Sequence, residues 1–99
     1  MRVLATVWRG AETRTAQGGV AVFYEAVGSV WLKLGARRRT TKGEAEAAVV
    51  VETLRAEARA DPRLEEGLRL RFSGAEWSLV MVDTSEAAGR VKLELERVR

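Results

Sequence analysis

The chain contains no cysteine and no histidine, a single proline and only two aspartates. Without cysteine there are no disulfides and no thiolate metal sites. Without histidine the commonest general base and the commonest zinc ligand are missing. Two aspartates, Asp61 and Asp83, are too few to suggest an oxygen cage for a hard cation. Carboxylates, lysines, hydroxyls and one tyrosine remain, and no phosphate-loop spacing surrounds them: "GGV" at 18–20 does not lead into a helix. A non-enzymatic role is expected, with no cofactor and no metal. No apolar run approaches the ~18 residues of a membrane helix. The opening "MRVLATVWRG" places a charge and a tryptophan within its first residues and is not read as a secretory signal.

What is present suits one small folded domain over residues 1–99. Hydrophobic residues make up 46% and charged residues 31%, which permits a modest core and argues against disorder. The net charge of +3 allows contact with nucleic acid without requiring it. Charge dominates the outside, so no large apolar surface is expected and the isolated chain should be mostly monomeric.

Period-two patterns carry most of the secondary-structure signal. Arg2–Trp8 alternates and reads as a first strand. Gly10–Gly19 is polar and closes on Gly18-Gly19, a turn signal. Val20–Tyr24 reads as a strand that "VGS" at 27–29 interrupts. Val30, Leu32 and Leu34 then share one face, with Trp31 and Lys33 on the other. From Ala36 to Ala47 the chain has almost no apolar bulk, which predicts a long polar loop. A short helix is expected over 44–49. A strand follows over 50–59, with Leu54, Ala56 and Ala58 on one face. Asp61-Pro62 marks a turn. Leu68, Leu70 and Phe72 alternate with Arg69 and Arg71, Ser73-Gly74 turns the chain, and Trp77, Leu79 and Met81 follow. "TSEAAGR" predicts another turn before Val91, Leu93 and Leu95. The expected fold is mainly β: a small antiparallel barrel or sandwich of about six strands, with the long polar loop and one short helix.

Three places invite a functional reading. Arg37, Arg38, Arg39 and Lys42 form a basic cluster, either a solvated loop or a contact for nucleic acid or an acidic partner. Glu65-Glu66 reads as a polar turn, because nothing nearby argues for a raised carboxyl pKa. Trp8, Trp31 and Trp77, with Phe23, Tyr24 and Phe72, are read as core, with a protein interface as the alternative.

The order of these features, more than any one of them, carries a resemblance. A strand near the N-terminus leads to the Gly18-Gly19 turn, then Tyr24 and "VGSVWLKL" at 27–34. The pair Gly43-Glu44 follows, then "TLRAEAR" at 53–59, "GLRLRF" at 67–72, "GAEWSLVMVD" at 74–83 and "GRVKLELERV" at 89–98. In this order, over roughly residues 2–98, the chain resembles the phage head–tail joining proteins. These are the small head-completion or stopper proteins of the neck, including those of gene transfer agents. The alanine-rich "TLRAEARA" departs from the more bulky strand that the family often has there.

The resemblance implies a structural virion protein and not an enzyme. Such a protein forms a ring between the portal or adaptor and the tail, closes the DNA channel after packaging and offers the surface on which the tail docks. Its partners would be the portal–adaptor ring, tail or tail-terminator proteins, copies of itself and the backbone of packaged double-stranded DNA, with no membrane. It would reside in the neck of the particle, assembled in the host cytoplasm. The element that plugs the channel would fall at Ala36–Ala47, which makes Arg37, Arg38, Arg39, Lys42, Gly43 and Glu44 the candidate DNA-facing residues. Two other readings remain at this stage. One is a different neck component, an adaptor or tail terminator; the other is a small nucleic-acid-binding barrel.

Overall fold

A computed structural model describes residues 1–43 and 48–98. Six strands occur among them: β1 (Arg2–Arg14), β2 (Val20–Lys42), β3 (Val49–Arg59), β4 (Arg69–Phe72), β5 (Ala75–Ala87) and β6 (Arg90–Val98). They close into one antiparallel barrel in the order β1-β2-β3-β6-β5-β4, which decides between barrel and sandwich. Closure removes the sheet edges through the body of the domain.

The C-terminal half follows the expected alternation. Leu68, Leu70 and Phe72 are buried, as are Trp77, Leu79, Val91, Leu93 and Leu95. Ser73 and Gly74 both take positive φ, 51° and 75°, in the two-residue turn between β4 and β5. Such a turn matches the right-handed twist of its flanking strands. β3 also forms as expected, with Leu54, Ala56 and Ala58 facing inward.

Several expectations are corrected. β1 does not stop at Trp8; it runs to Arg14 and pairs with Val20–Glu25, leaving a turn only at 15–19. Gly10 is accommodated because the Tyr24 ring covers it, at 3.3 Å from where a Cβ would stand. "VGS" does not interrupt β2. Val27 is an extra residue between the pairs Val7↔Gly28 and Trp8↔Ala26, so the break is a β-bulge. The loop expected at Ala36–Ala47 is strand as far as Lys42, pairing with β3. Of the helix expected over 44–49, residues 44–47 lie outside the described residues, and Val49 already belongs to β3. The "TSEAAGR" turn is narrower, since β5 extends to Ala87.

Register shifts explain the faces that simple alternation misplaces. Leu79 pairs with Leu95 and Met81 with Glu94, so Val80 is inserted between them. The insertion turns Met81 outward, 44% exposed, and brings Val82 toward the core. A second insertion separates Leu34↔Ala56 from Arg37↔Leu54. Arg37 therefore inherits the inward face.

The segment between β3 and β4 closes one end of the barrel, with Leu64 buried against the core. Arg63 holds it in place, donating to the Val27 carbonyl at 3.0 Å and to both Asp61 carboxylate oxygens. These bonds hold the Asp61 carboxyl below its ordinary pKa and raise that of Arg63. The latch depends on Gly28. Its φ is +143°, and the Arg63 guanidinium occupies the place a Cβ would need. Gly28→Ala is expected to lower stability by about 2 kcal/mol, from backbone strain and a displaced latch. Thermal melts of G28A, R63A and the double variant check this. The two effects should not add, because both release the same contact.

Candidate functional site

At the end of the barrel opposite that segment, where β3 begins, an acidic side chain points inward. Glu52 shares the face of Leu54, Ala56 and Ala58 and is fully buried. Its register partners are Arg39 on β2 and Arg97 on β6. Arg97 donates to Glu52 Oε1 at 3.2 Å. The Arg37 and Arg39 guanidinia lie at 3.5 and 3.7 Å from the carboxylate. Arg37 and Arg97 also sit over the Trp77 ring, at 5.4 and 4.7 Å from its centroid. Phe72 stacks near-parallel with Trp77 at 6.0 Å. One mouth of the barrel is thus sealed by a carboxylate, three arginines and an aromatic pair. Burying that charge is tolerable only because three guanidinium charges converge on it, one of them through a hydrogen bond.

This cluster divides the expected basic loop. Arg37 and Arg39 turn inward to Glu52. Arg38 lies on the other face opposite Thr53, is exposed, and makes no ion pair among the described residues. Gly43 takes φ +99° at the end of β2. Glu44 lies outside the described residues. Arg97, thirty-eight positions beyond Arg59 in the chain, was not among the candidates, and neither was Glu52; only the β3–β6 register brings them together. Glu65 sits in the segment that closes the other end and meets Arg9 at 3.4 Å, in keeping with a polar turn.

The aromatic residues also separate. Trp77 and Phe72 are core. Trp8 is half-buried. Trp31, Phe23 and Tyr24 are exposed at 63%, 45% and 37%, so they are not core residues. The reason is parity: Val30 and Leu32 face inward, and Trp31 between them must face out. Arg69 lies over the Tyr24 ring at 4.2 Å. The expectation of no sizeable exposed apolar surface fails with them, since Leu4, Val20 and Val22 are also more than half exposed.

Four of these exposed side chains lie on an arm. β4 pairs with β1 only at Thr6–Trp8, and β3 meets β2 only from Lys33 onward. Residues 9–14 and 20–25 therefore form a two-stranded hairpin beyond the barrel wall, with Val20, Val22, Phe23 and Tyr24 on it. The molecule is accordingly elongated, 47 × 37 × 26 Å.

No family model matches the chain, and no curated protein matches it in sequence. Its fold does match solved structures. One is a chain in the virion of a native gene transfer agent particle, with TM-score 0.77 and 16% identity, covering 97% of this chain and 93% of that one. Another is the phage-like element PBSX protein xkdH from Bacillus subtilis, with TM-score 0.68 and 8% identity, covering 98% and 94%. At such identities the likeness is one of fold. It extends over nearly the whole of all three chains and is consistent with the head–tail joining resemblance carried by the sequence.

Proposed function

We propose that the chain is a structural protein of a phage-like particle. In this reading it forms a ring in the neck between portal or adaptor and tail, closes the DNA channel after packaging and presents the surface on which the tail docks. The observation that carries the reading is the near-complete coverage in both directions against chains from a gene transfer agent virion and a phage-like element. A shared fold alone does not fix a function. Here it coincides with an independent order of sequence features that resembles the head–tail joining family.

The DNA-facing element is the β2–β3 tip, reached through Arg38, Lys42 and Gly43. Arg37 and Arg39 contribute to it less directly, because their charge is directed at Glu52. Repeated around a ring, one uncommitted arginine per subunit gives a collar of positive charge. Such a collar screens DNA phosphates without reading sequence.

Particles assembled without this chain should yield filled heads unattached to tails, seen by electron microscopy, with DNA lost from the heads. Normal, tailed, full particles would refute the neck assignment. Arg38→Ser with Lys42→Ser should leave folding intact, since Arg38 is exposed and changes at exposed positions usually stay within ~0.5 kcal/mol. Heads carrying that double variant should leak DNA before tails join. Retained DNA with failed tail joining would place the tip against the tail and not the channel.

A further inference from the structure

The outer face of the β1–β2 sheet carries two unusual neighbours. Leu4 and Trp31 are directly opposite across the strands, and both are more than half exposed. The next outward pair is Arg2 opposite Lys33, two like charges. Like charges directly opposite in a sheet repel. Neither makes an ion pair among the described residues. A groove of about 560 Å³ opens beside them, lined by Arg2, Trp31, Lys33 and Arg59 among others. Its acidic members are held within the chain, Glu57 by Arg90 at 3.9 Å and Asp61 by Arg63. The surface is left with an apolar pair and surplus positive charge. It suits an occupant that offers an apolar side chain next to a carboxylate.

The arm offers that combination. Val22 is opposite Glu12, on the outward face it shares with Val20 and Tyr24. Val20 and Val22 are 61% and 58% exposed, and Glu12 makes no ion pair among the described residues. Arg14 lies opposite Val20 at the tip, and Arg69 covers Tyr24 at the base of the arm, which leaves Glu12 beside Val22 between them. The arm cannot reach the groove of its own chain. Glu12 and Leu4 are eight positions apart on one continuous strand, roughly 26 Å at ~3.3 Å per residue.

We infer that the arm of one copy docks on the Leu4–Trp31 surface of a second copy, with Val22 against Trp31 and Glu12 between Arg2 and Lys33. The contact is head-to-tail. It uses two different patches on each subunit, which is the arrangement that generates rings when the rotation closes. It names the contact that would build the ring of the proposed function. It is tested on the isolated chain, so its failure and the failure of the neck assignment are seen separately.

The absence of native cysteine makes the test clean. Leu4→Cys and Val22→Cys are made as separate proteins, mixed at high concentration and oxidised. Heterodimers between the two are expected in clear excess over those between V22C and Ser78→Cys, an exposed position on β5. The chain bearing both L4C and V22C should give a ladder of multimers. Adding Glu12→Lys should reduce cross-linking several-fold, and pairing it with Arg2→Glu and Lys33→Glu should restore it. All positions are at the surface, and circular dichroism with thermal melts confirms that each variant is folded. Heterodimers no more abundant than the β5 control would overturn the inference. So would V22C homodimers in excess, which would mean arm-to-arm pairing, or charge reversal without rescue.

Discussion

Replacing Trp77 with alanine is expected to destabilise the domain by about 3–5 kcal/mol, whereas the same change at Trp31 should leave the melting temperature nearly unmoved. Trp77 is 1% exposed; Trp31 is 63% exposed. The Trp77 ring is stacked on Phe72 and faces the guanidinia of Arg37 and Arg97. Its removal opens a cavity at the mouth of the barrel and takes away the surface on which two cations rest. In a domain of this size each 1 kcal/mol moves the midpoint by roughly 4–8 °C, so W77A should melt well over 10 °C lower. The indole N–H has no hydrogen-bond partner among the described residues. Trp77→Phe, which keeps most of the apolar volume and removes that unpaired donor, should therefore cost clearly less. Equal melting losses for W77A and W31A would contradict the division into core and surface aromatics.

How far the sequence reveals this division depends on where strict alternation holds. In 68–72 and 91–95 it holds residue by residue, and the buried set follows from it: Leu68, Leu70, Phe72, Val91, Leu93 and Leu95. In 30–34 it also holds, and it places Trp31 opposite in face to Val30 and Leu32. Hydrophobicity alone would make Trp31 core, but parity sets it outside. Elsewhere parity is reset by an inserted residue: Val27, one residue between Leu34 and Arg37, and Val80. An inserted residue leaves no fixed mark in composition, so Met81 and Arg37 end on faces that counting does not predict. Loop-like composition also hid a strand. Ala36–Lys42 has little apolar bulk because one of its faces meets Glu52 and the other meets solvent, while backbone pairing with β3 keeps it extended.

The candidate site was partly within reach. Glu52 falls in register with Leu54, Ala56 and Ala58, so the pattern that located β3 also directed a carboxylate inward. Its partners were not legible, because the pairing of β3 with β6 is a property of barrel closure. The arm was hidden for a related reason. "GAETRTAQGG" at 10–19 has the composition of a loop, and only the covering of Gly10 by Tyr24 and the absence, among the described residues, of a third strand beside it define a projecting hairpin.

The largest electrostatic effect is expected at Glu52. Glu52→Gln keeps the shape of the side chain and removes its charge, leaving the Arg37, Arg39 and Arg97 guanidinia directed at a neutral amide. Removing one partner of a buried ion pair commonly costs about 3–5 kcal/mol, because the remaining charge is stranded. The exposure of two of the three partners pulls this case toward the lower end. The Arg37 and Arg39 side chains are 53% and 64% exposed and can turn to water, whereas Arg97 is only 25% exposed and cannot do so freely. A loss of about 3 kcal/mol is therefore expected, dominated by Arg97. The distinction has a direct check. Arg97→Met with Glu52→Leu replaces the most buried charge pair by apolar groups of similar size and should recover most of the stability that E52Q loses. Arg39→Met with Glu52→Leu should recover much less, because it leaves Arg97 facing a hydrocarbon. Urea unfolding of these variants gives the ranking. A cost for E52Q below about 1 kcal/mol would mean that the cluster is held together by packing on Trp77 and that the carboxylate contributes little.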